Sequence, residues 1–203
     1  MELSIISPAY YKTTRPFKYL LASADRVDIN FRYYGFGQDY KDWIQTHIDD
    51  CYEQVKWAVN TSHVMFVDAV DVLFLKSAKE IMRRYMMLGH PPMLVAREKE
   101  GMNAGCWLGE RDVAVAMLEH LQTLKDIPRA GDPQERWRHA INHDHIRACH
   151  DVHERIFAVN QWPTDACVLH LAGGYCDPVT GREERLLPIW EEITKEITKE
   201  ITK

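Results

Sequence analysis

Val64-Met65-Phe66-Val67-Asp68-Ala69-Val70-Asp71-Val72-Leu73-Phe74-Leu75 is the stretch that decides the fold. Two carboxylates interrupt a run that is otherwise apolar. The run from His63 to Val67 reads as a short buried strand ending at Asp68, and Val72–Leu75 reads as a second apolar stretch. A buried carboxylate with no partner costs several kcal/mol or more, so the pair needs compensation. A divalent cation supplies it. Oxygen ligands suit Mn²⁺ or Mg²⁺, and either ion also binds a diphosphate. The plainer alternative has Asp68 capping a turn and Asp71 facing water.

Outward from this stretch, strand and helix patterns alternate. Leu3 to Ser7 reads as a strand, Pro16–Ala24 as a helix, Val27–Tyr34 as a strand, and residues 35–43 as a loop with two glycines. Helices are expected over Ile48–Val59, Ala78–Met87 and Arg111–Leu124. Strands are expected over Met93–Ala96 and Cys106–Leu108, with Pro91-Pro92 breaking the chain between. Residues 125–165, rich in charge, His and Trp, are expected to form helices and loops. Ala166–Leu171 reads as a last strand, closed by Gly173-Gly174. Such alternation implies an α/β fold with a mostly parallel sheet flanked by helices. Ligands of these sheets sit at the carboxyl ends of the strands, where Asp68 falls. Residues 1–190 are read as one domain. Residues 191–203 carry the four-residue repeat EEITKEITKEITK as an amphipathic helix, with Ile193, Ile197 and Ile201 on one stripe. That stripe docks on the domain or serves self-association.

Composition narrows the function. A net charge of −5 over 203 residues argues against broad, non-specific binding of nucleic acid. The five cysteines include no CxxC pair, and the N-terminus has neither a basic region nor a long apolar one. A reducing cytoplasm with free thiols is the expectation, with no role for a membrane.

Two further elements carry chemistry. In Asn103-Ala104-Gly105-Cys106-Trp107-Leu108-Gly109, the glycines permit close backbone approach, and the amide both donates to and accepts from a sugar hydroxyl. In Val168-Leu169-His170-Leu171-Ala172-Gly173-Gly174, a strand-end imidazole stands beside backbone amides able to hold phosphate. Read alone, a histidine at this position is more often a satisfied core residue than a ligand.

In this order, the elements resemble the glycosyltransferase domain of the procollagen lysyl hydroxylases and related procollagen-type sugar transferases. Ile5-Ile6-Ser7-Pro8-Ala9 looks like that family's first nucleotide-binding strand. Residues 32–40, RYYGFGQDY, are similar to its second strand and Gly-x-Gly loop. Glu53-Gln54-Val55-Lys56-Trp57 resembles its Lys-bearing helix. Asp132-Pro133-Gln134 looks like a degenerate Asp-Asp-Gln, and Glu154-Arg155-Ile156-Phe157 matches a later strand. The resemblance spans roughly residues 3–175. It implies a GT-A fold, a UDP-sugar donor such as UDP-glucose or UDP-galactose, and Mn²⁺. It puts Asp68, Asp71 and His170 at the metal, Ser7 and Ala9 at the uridine, and Lys56, Gly173 and Gly174 near the nucleotide or its phosphates. Asn103 falls near the transferred sugar and Asp132 beside the reaction centre. Val70 stands where the family carries an aromatic residue against the base, Pro133 replaces a second Asp, and the 96–103 stretch is short. Collagen is thus a poor fit as acceptor. A hydroxymethylated base in phage DNA, a protein hydroxyl and a glycan remain open, and Arg83, Arg84, Arg136, Arg138 and Arg147 are candidates for a phosphate groove. Asp144 rivals Asp132 at the reaction centre. The family analogy favours retention at the anomeric carbon.

Two other classes compete. His139, His143, His145, Cys149, His150 and His153 crowd together, with His139 and His143 at i, i+4, as a zinc-binding module or metallohydrolase requires. An inactive nucleotide-sugar-binding protein is the other, against which the two retained aspartates count.

Overall fold

The computed structural model describes residues 2–58, 60–98, 101–144, 147–172 and 180–201, and within the last segment the side chains of residues 185–195. In chain order the strands are β1 (Leu3–Pro8), β2 (Arg32–Tyr34), β3 (His63–Val67), β4 (Val72–Phe74), β5 (Met93–Glu98), β6 (Gly101–Glu110), β7 (Cys149–His150), β8 (Phe157–Val159) and β9 (Val168–His170). The α-helices are α1 (Lys18–Arg26), α2 (Asp50–Lys56), α3 (Ala78–Met87), α4 (Arg111–Thr123), α5 (Pro133–Asn142) and α6 (Thr180–Ile201).

The opening stretch divides between two sheets. β3 lies inside a six-stranded sheet of order β2-β1-β3-β6-β5-β7, whereas β4 belongs to a small sheet of order β4-β9-β8. In the large sheet β6 alone runs against its neighbours, so the fold is mixed α/β with a mostly parallel sheet. Both faces of the large sheet are covered, which is why β3 is buried at every position and apolar from Val64 to Val67 rather than alternating. Ile5, Met65, Val67, Leu94 and Leu108 pack on one side with Leu20 of α1 and Ile81 and Tyr85 of α3. Ile6, Val64, Phe66, Val95 and Trp107 pack on the other with Val55 of α2, Leu118 of α4 and Trp137 of α5.

Local chemistry sets the element ends. Ser77 caps α3, its hydroxyl accepting from the Glu80 amide, and the helix covers the expected 78–87. Asp132 caps α5, its carboxylate accepting from the Gln134 amide, with Pro133 in the first turn where the missing N–H costs nothing. Pro133 thus has a structural reason at the degenerate Asp-Asp-Gln position. The expected strand over 27–34 shrinks to β2. Val27 finishes α1 by donating to the Ala24 carbonyl, and Asp28 turns the chain at a φ of 55°. The expected helix over 48–59 is corrected to a π-helical turn, Gln45–Asp49, followed by α2.

The ITKE repeat lies in α6, whose helix spans residues 190 and 191. Leu186 and Ile193 are buried against Leu73, Ala158 and Leu169 of the small sheet. No helix among the described residues is long and apolar enough to cross a membrane. Cys51, Cys106, Cys149 and Cys167 are free thiols, and Cys176 lies outside the described residues.

Candidate active site

Three chain segments meet at the carboxyl end of β3. Asp68 follows the last residue of β3, and its amide donates to the Gly105 carbonyl of β6 at 2.8 Å, continuing the β3–β6 ladder. Asp71 immediately precedes β4. β9 pairs antiparallel with β4, setting His170 opposite Val72, and the Leu171 amide donates to the Asp71 carbonyl at 2.8 Å. This pairing carries a residue a hundred positions away to the two acids. His170 Nε2 lies 3.4 Å from Asp68 Oδ2 and 3.3 Å from Asp71 Oδ1. One ligand atom from each residue falls within 4.8 Å of the other two, and among the described residues no other His, Cys, Asp and Glu group does so.

Asp71 and His170 are buried, at 5 % and 2 % exposure. Burial alone raises a carboxyl pKa; hydrogen bonds from His170 and His47 outweigh it and hold Asp68 well below the usual carboxylate range. Burial pushes His170 the other way, and Cys106, Asp71 and Asp68 together hold its imidazole raised. Gly105 is indispensable to this approach. A Cβ there would sit far inside contact distance of both Asp68 Oδ2 and His170 Cε1.

Two cavities open from the cluster. The first, about 300 Å³, is lined by Pro8, Tyr10, Tyr11, Tyr40, Trp43 and Val70 together with the two aspartates. Its walls are aromatic and apolar, fit for a flat heterocycle. The second, about 560 Å³, is polar and lined by Glu98, Asn103, Gly105, Asp132, Gln134 and the Asp68–Asp71–His170 group. Asn103 is fixed there, donating from Nδ2 to Glu98 Oε1 at 2.7 Å and accepting from the Gly105 amide at 2.8 Å. Trp43 and His47 line both cavities.

The remaining expected site residues divide. Val70 lines the aromatic cavity, and Asp132 lines the polar one, where Arg129 Nη2 stands 3.4 Å from its carboxylate. Ser7 and Ala9 are wholly buried in the β1 backbone region, while their neighbours Pro8, Tyr10 and Tyr11 face the cavity. Lys56 is not brought to the cluster. It ends the crossover helix α2 beside the start of β3, its carbonyl accepting from Arg111 Nη2 at 2.7 Å and its ammonium lying over the Tyr52 ring. Asp144 lines neither cavity; its carboxylate meets His120 Nε2 at 2.7 Å on the exposed side of α4 and α5. Gly173, Gly174 and His145 lie outside the described residues.

Four of the five arginines considered for a phosphate groove are engaged within the chain, and Arg147 is exposed. Arg83 pairs with Glu80, Arg84 with Glu80 and Asp165, and Arg138 with Glu135. Arg136 is buried and donates to the Ala130 and Leu121 carbonyls. His139 and His143 lie with ring centroids 4.7 Å apart and planes tilted by 35°, but they join no group able to hold a metal among the described residues.

Sequence reading missed His47, Trp43, Tyr11 and Tyr40. His47 Nε2 lies 3.0 Å from Asp68 Oδ1, and its ring stacks on Trp43 with centroids 4.8 Å apart. One signal was available: aromatic residues recur at 40 and 43 directly after the Gly-x-Gly loop, in a stretch too polar for a strand.

A scan of protein families finds no match, and no curated protein matches. Among solved structures, the chain is similar to a glycosyltransferase involved in the glycosylation of the major capsid of PBCV-1. The two share 14 % sequence identity at a TM-score of 0.63, over 90 % of this chain and 97 % of that one. At that identity the likeness is one of fold: this chain has the mixed α/β architecture of a GT-A glycosyltransferase.

Proposed function

We propose that this protein is a metal-dependent glycosyltransferase that moves a hexosyl group from a nucleotide-sugar to a hydroxyl acceptor. The observation that carries the reading is the convergence of Asp68, Asp71 and His170 at the carboxyl end of β3, between an aromatic cavity and a polar one. The fold shared with a glycosyltransferase supports it.

The residues fit a divalent cation. Two carboxylates and an imidazole present their ligand atoms together, and buried negative charge at this spot demands a positive partner. Two oxygen donors with one imidazole suit Mn²⁺ better than Mg²⁺ or Ca²⁺, which take oxygen. Asp68, Asp71 and His170 would hold the ion. When bound, it supplies Lewis-acid stabilisation of the charge that develops on a leaving diphosphate.

The chain's own groups supply the rest. Trp43, Tyr11, Tyr40 and Val70 take the base of the donor, a UDP-sugar by family resemblance. Asn103 and Glu98 hold the sugar, since their mutual hydrogen bond fixes which oxygen and which amide proton face the cavity. Asp132, at the cap of α5, orients the sugar or the incoming hydroxyl. The acceptor is a hydroxyl on a glycan, a protein or a modified base.

The test is a melting-temperature screen of nucleotide-sugars with and without Mn²⁺, followed by donor hydrolysis. A ligand bound only by the native state at 100 times its Kd stabilises by about 2.7 kcal/mol. The expected result is a UDP-sugar shift that needs Mn²⁺ and disappears, together with hydrolysis, in Asp71→Asn. Undiminished turnover in that variant refutes the mechanism.

A further inference from the structure

His47 stands outside the three-residue group yet touches it. The π-helical turn Gln45–Asp49 inserts it between Trp43 and Phe66, 8 % exposed, its ring stacked on Trp43 and edge-on to Phe66 at 5.7 Å. Single π-turns gather at functional sites because the wider turn redirects a side chain. Here the redirected side chain bridges backbone and carboxylate. His47 Nδ1 lies 3.2 Å from the Trp43 carbonyl and Nε2 lies 3.0 Å from Asp68 Oδ1. A carboxylate only accepts, so the tautomer with its proton on Nε2 donates to Asp68 Oδ1. The other oxygen of the same carboxylate, Oδ2, is the one beside His170. Asp68 is therefore held by one oxygen and presented by the other.

We infer that His47 is a positioning residue for the cation: by holding Asp68 Oδ1 it fixes Oδ2 toward Asp71 and His170. The inference rests on the metal reading above. Ligating carboxylates are hydrogen-bonded by outer partners whose loss costs about 10- to 100-fold in metal affinity. His47 has the geometry of such a partner, and its own ring is fixed by Trp43, which lines both cavities.

The test uses the full chain and Mn²⁺ alone, followed by the loss of the free Mn²⁺ electron paramagnetic resonance signal, with melting temperature measured without metal. Three proteins are compared: wild type, His47→Ala and His47→Gln, whose amide N–H keeps one donor. The expected result is a 10- to 100-fold weaker Mn²⁺ affinity in His47→Ala at a metal-free melting temperature close to wild type, with His47→Gln recovering most of the loss. Wild-type affinity in His47→Ala overturns the inference and leaves the metal reading intact. Equal loss in both variants, tracking a fall in metal-free stability, assigns His47 a packing role and overturns it as well. A wild-type chain that binds no Mn²⁺ refutes the metal reading and this inference with it.

Discussion

Gly105→Ala is the sharpest probe of the site, because it adds one methyl group at its centre. The Cβ would stand well inside 3.0 Å of Asp68 Oδ2 and of His170 Cε1, with Asn103 Oδ1 at 3.0 Å, and real Cβ atoms essentially never come so close. Asp68 and His170 must each retreat by more than about half an ångström. Neither can do so freely: Asp68 is held by His47, and His170 lies in a strand paired on both sides. A misplacement near 1 Å costs about 100-fold in rate, which corresponds to about 2.7 kcal/mol at the transition state. Overpacking of the fold adds about 1–3 kcal/mol, a fall in melting temperature of roughly 2–12 °C at this chain length. Gly131 lines the same cavity with open space around its Cβ, so Gly131→Ala is the matched control. The assay is Mn²⁺-dependent release of nucleoside diphosphate from the donor. The reasoning fails if Gly105→Ala keeps wild-type turnover, or if Gly131→Ala loses as much.

Asp132→Asn keeps the α5 cap, since Asn caps as well as Asp, and should lower transfer about 100-fold while Asp144→Asn leaves it unchanged; equal losses would show that position in the cavity is not what matters. Asp151, 2 % exposed, accepts from the amides of Arg155, Ile156 and Phe157 ahead of β8. Asp151→Ala should cost about 3 kcal/mol and lower the melting temperature by about 6–12 °C, and a shift under about 2 °C would refute that role. At the opposite end of the sheet His63 Nε2 faces His90 Nε2 at 2.8 Å, with Ser62 Oγ on His63 Nδ1, Tyr85 edge-on to both rings and Glu110 3.9 Å from His90. Burial and the charge of His90 hold the His63 pKa below its ordinary value. The unfolded chain then binds more protons than the folded one, so this pair's stability is present above the ordinary histidine pKa of about 6.5 and is lost as pH falls below it. Melting curves from pH 7.5 to 5.5 should show that decline, and His90→Asn should flatten it; an unchanged slope in the variant removes the pair as its source.

How much of this was legible in the sequence depends on the range of the cause. The end of β3 was legible because a strand covered on both faces is apolar throughout, so the first carboxylate marks where cover stops. The boundaries of α3 were legible for a local reason, the Ser77 cap and the Leu88-Gly89 exit. The Lys56 expectation failed on topology: a helix crossing between parallel strands begins at their carboxyl ends and finishes at the opposite ends, so its last residue cannot face the site. The π-turn left no periodic trace, and His47 and Trp43 stayed invisible in a polar stretch whose meaning lies in what it packs against.

The division of the opening stretch between two sheets was the least visible feature, and it explains most about the site. Ala69 and Val70 carry the chain from one sheet to the other, so Asp68 belongs to the large sheet and Asp71 to the small one. His170 comes with Asp71 through the β4–β9 ladder, not with Asp68. The candidate ligands are thus two and one across a seam between sheets. A seam can hold buried like charges only if something bridges it, and in the chain itself His170 does so, within 3.4 Å of both acids. That single imidazole faces two carboxylates, Asp71 buried and Asp68 opening onto both cavities, which leaves net negative charge at the seam. On the proposed metal reading, a divalent cation at the same point would meet that charge and fasten the two sheets together.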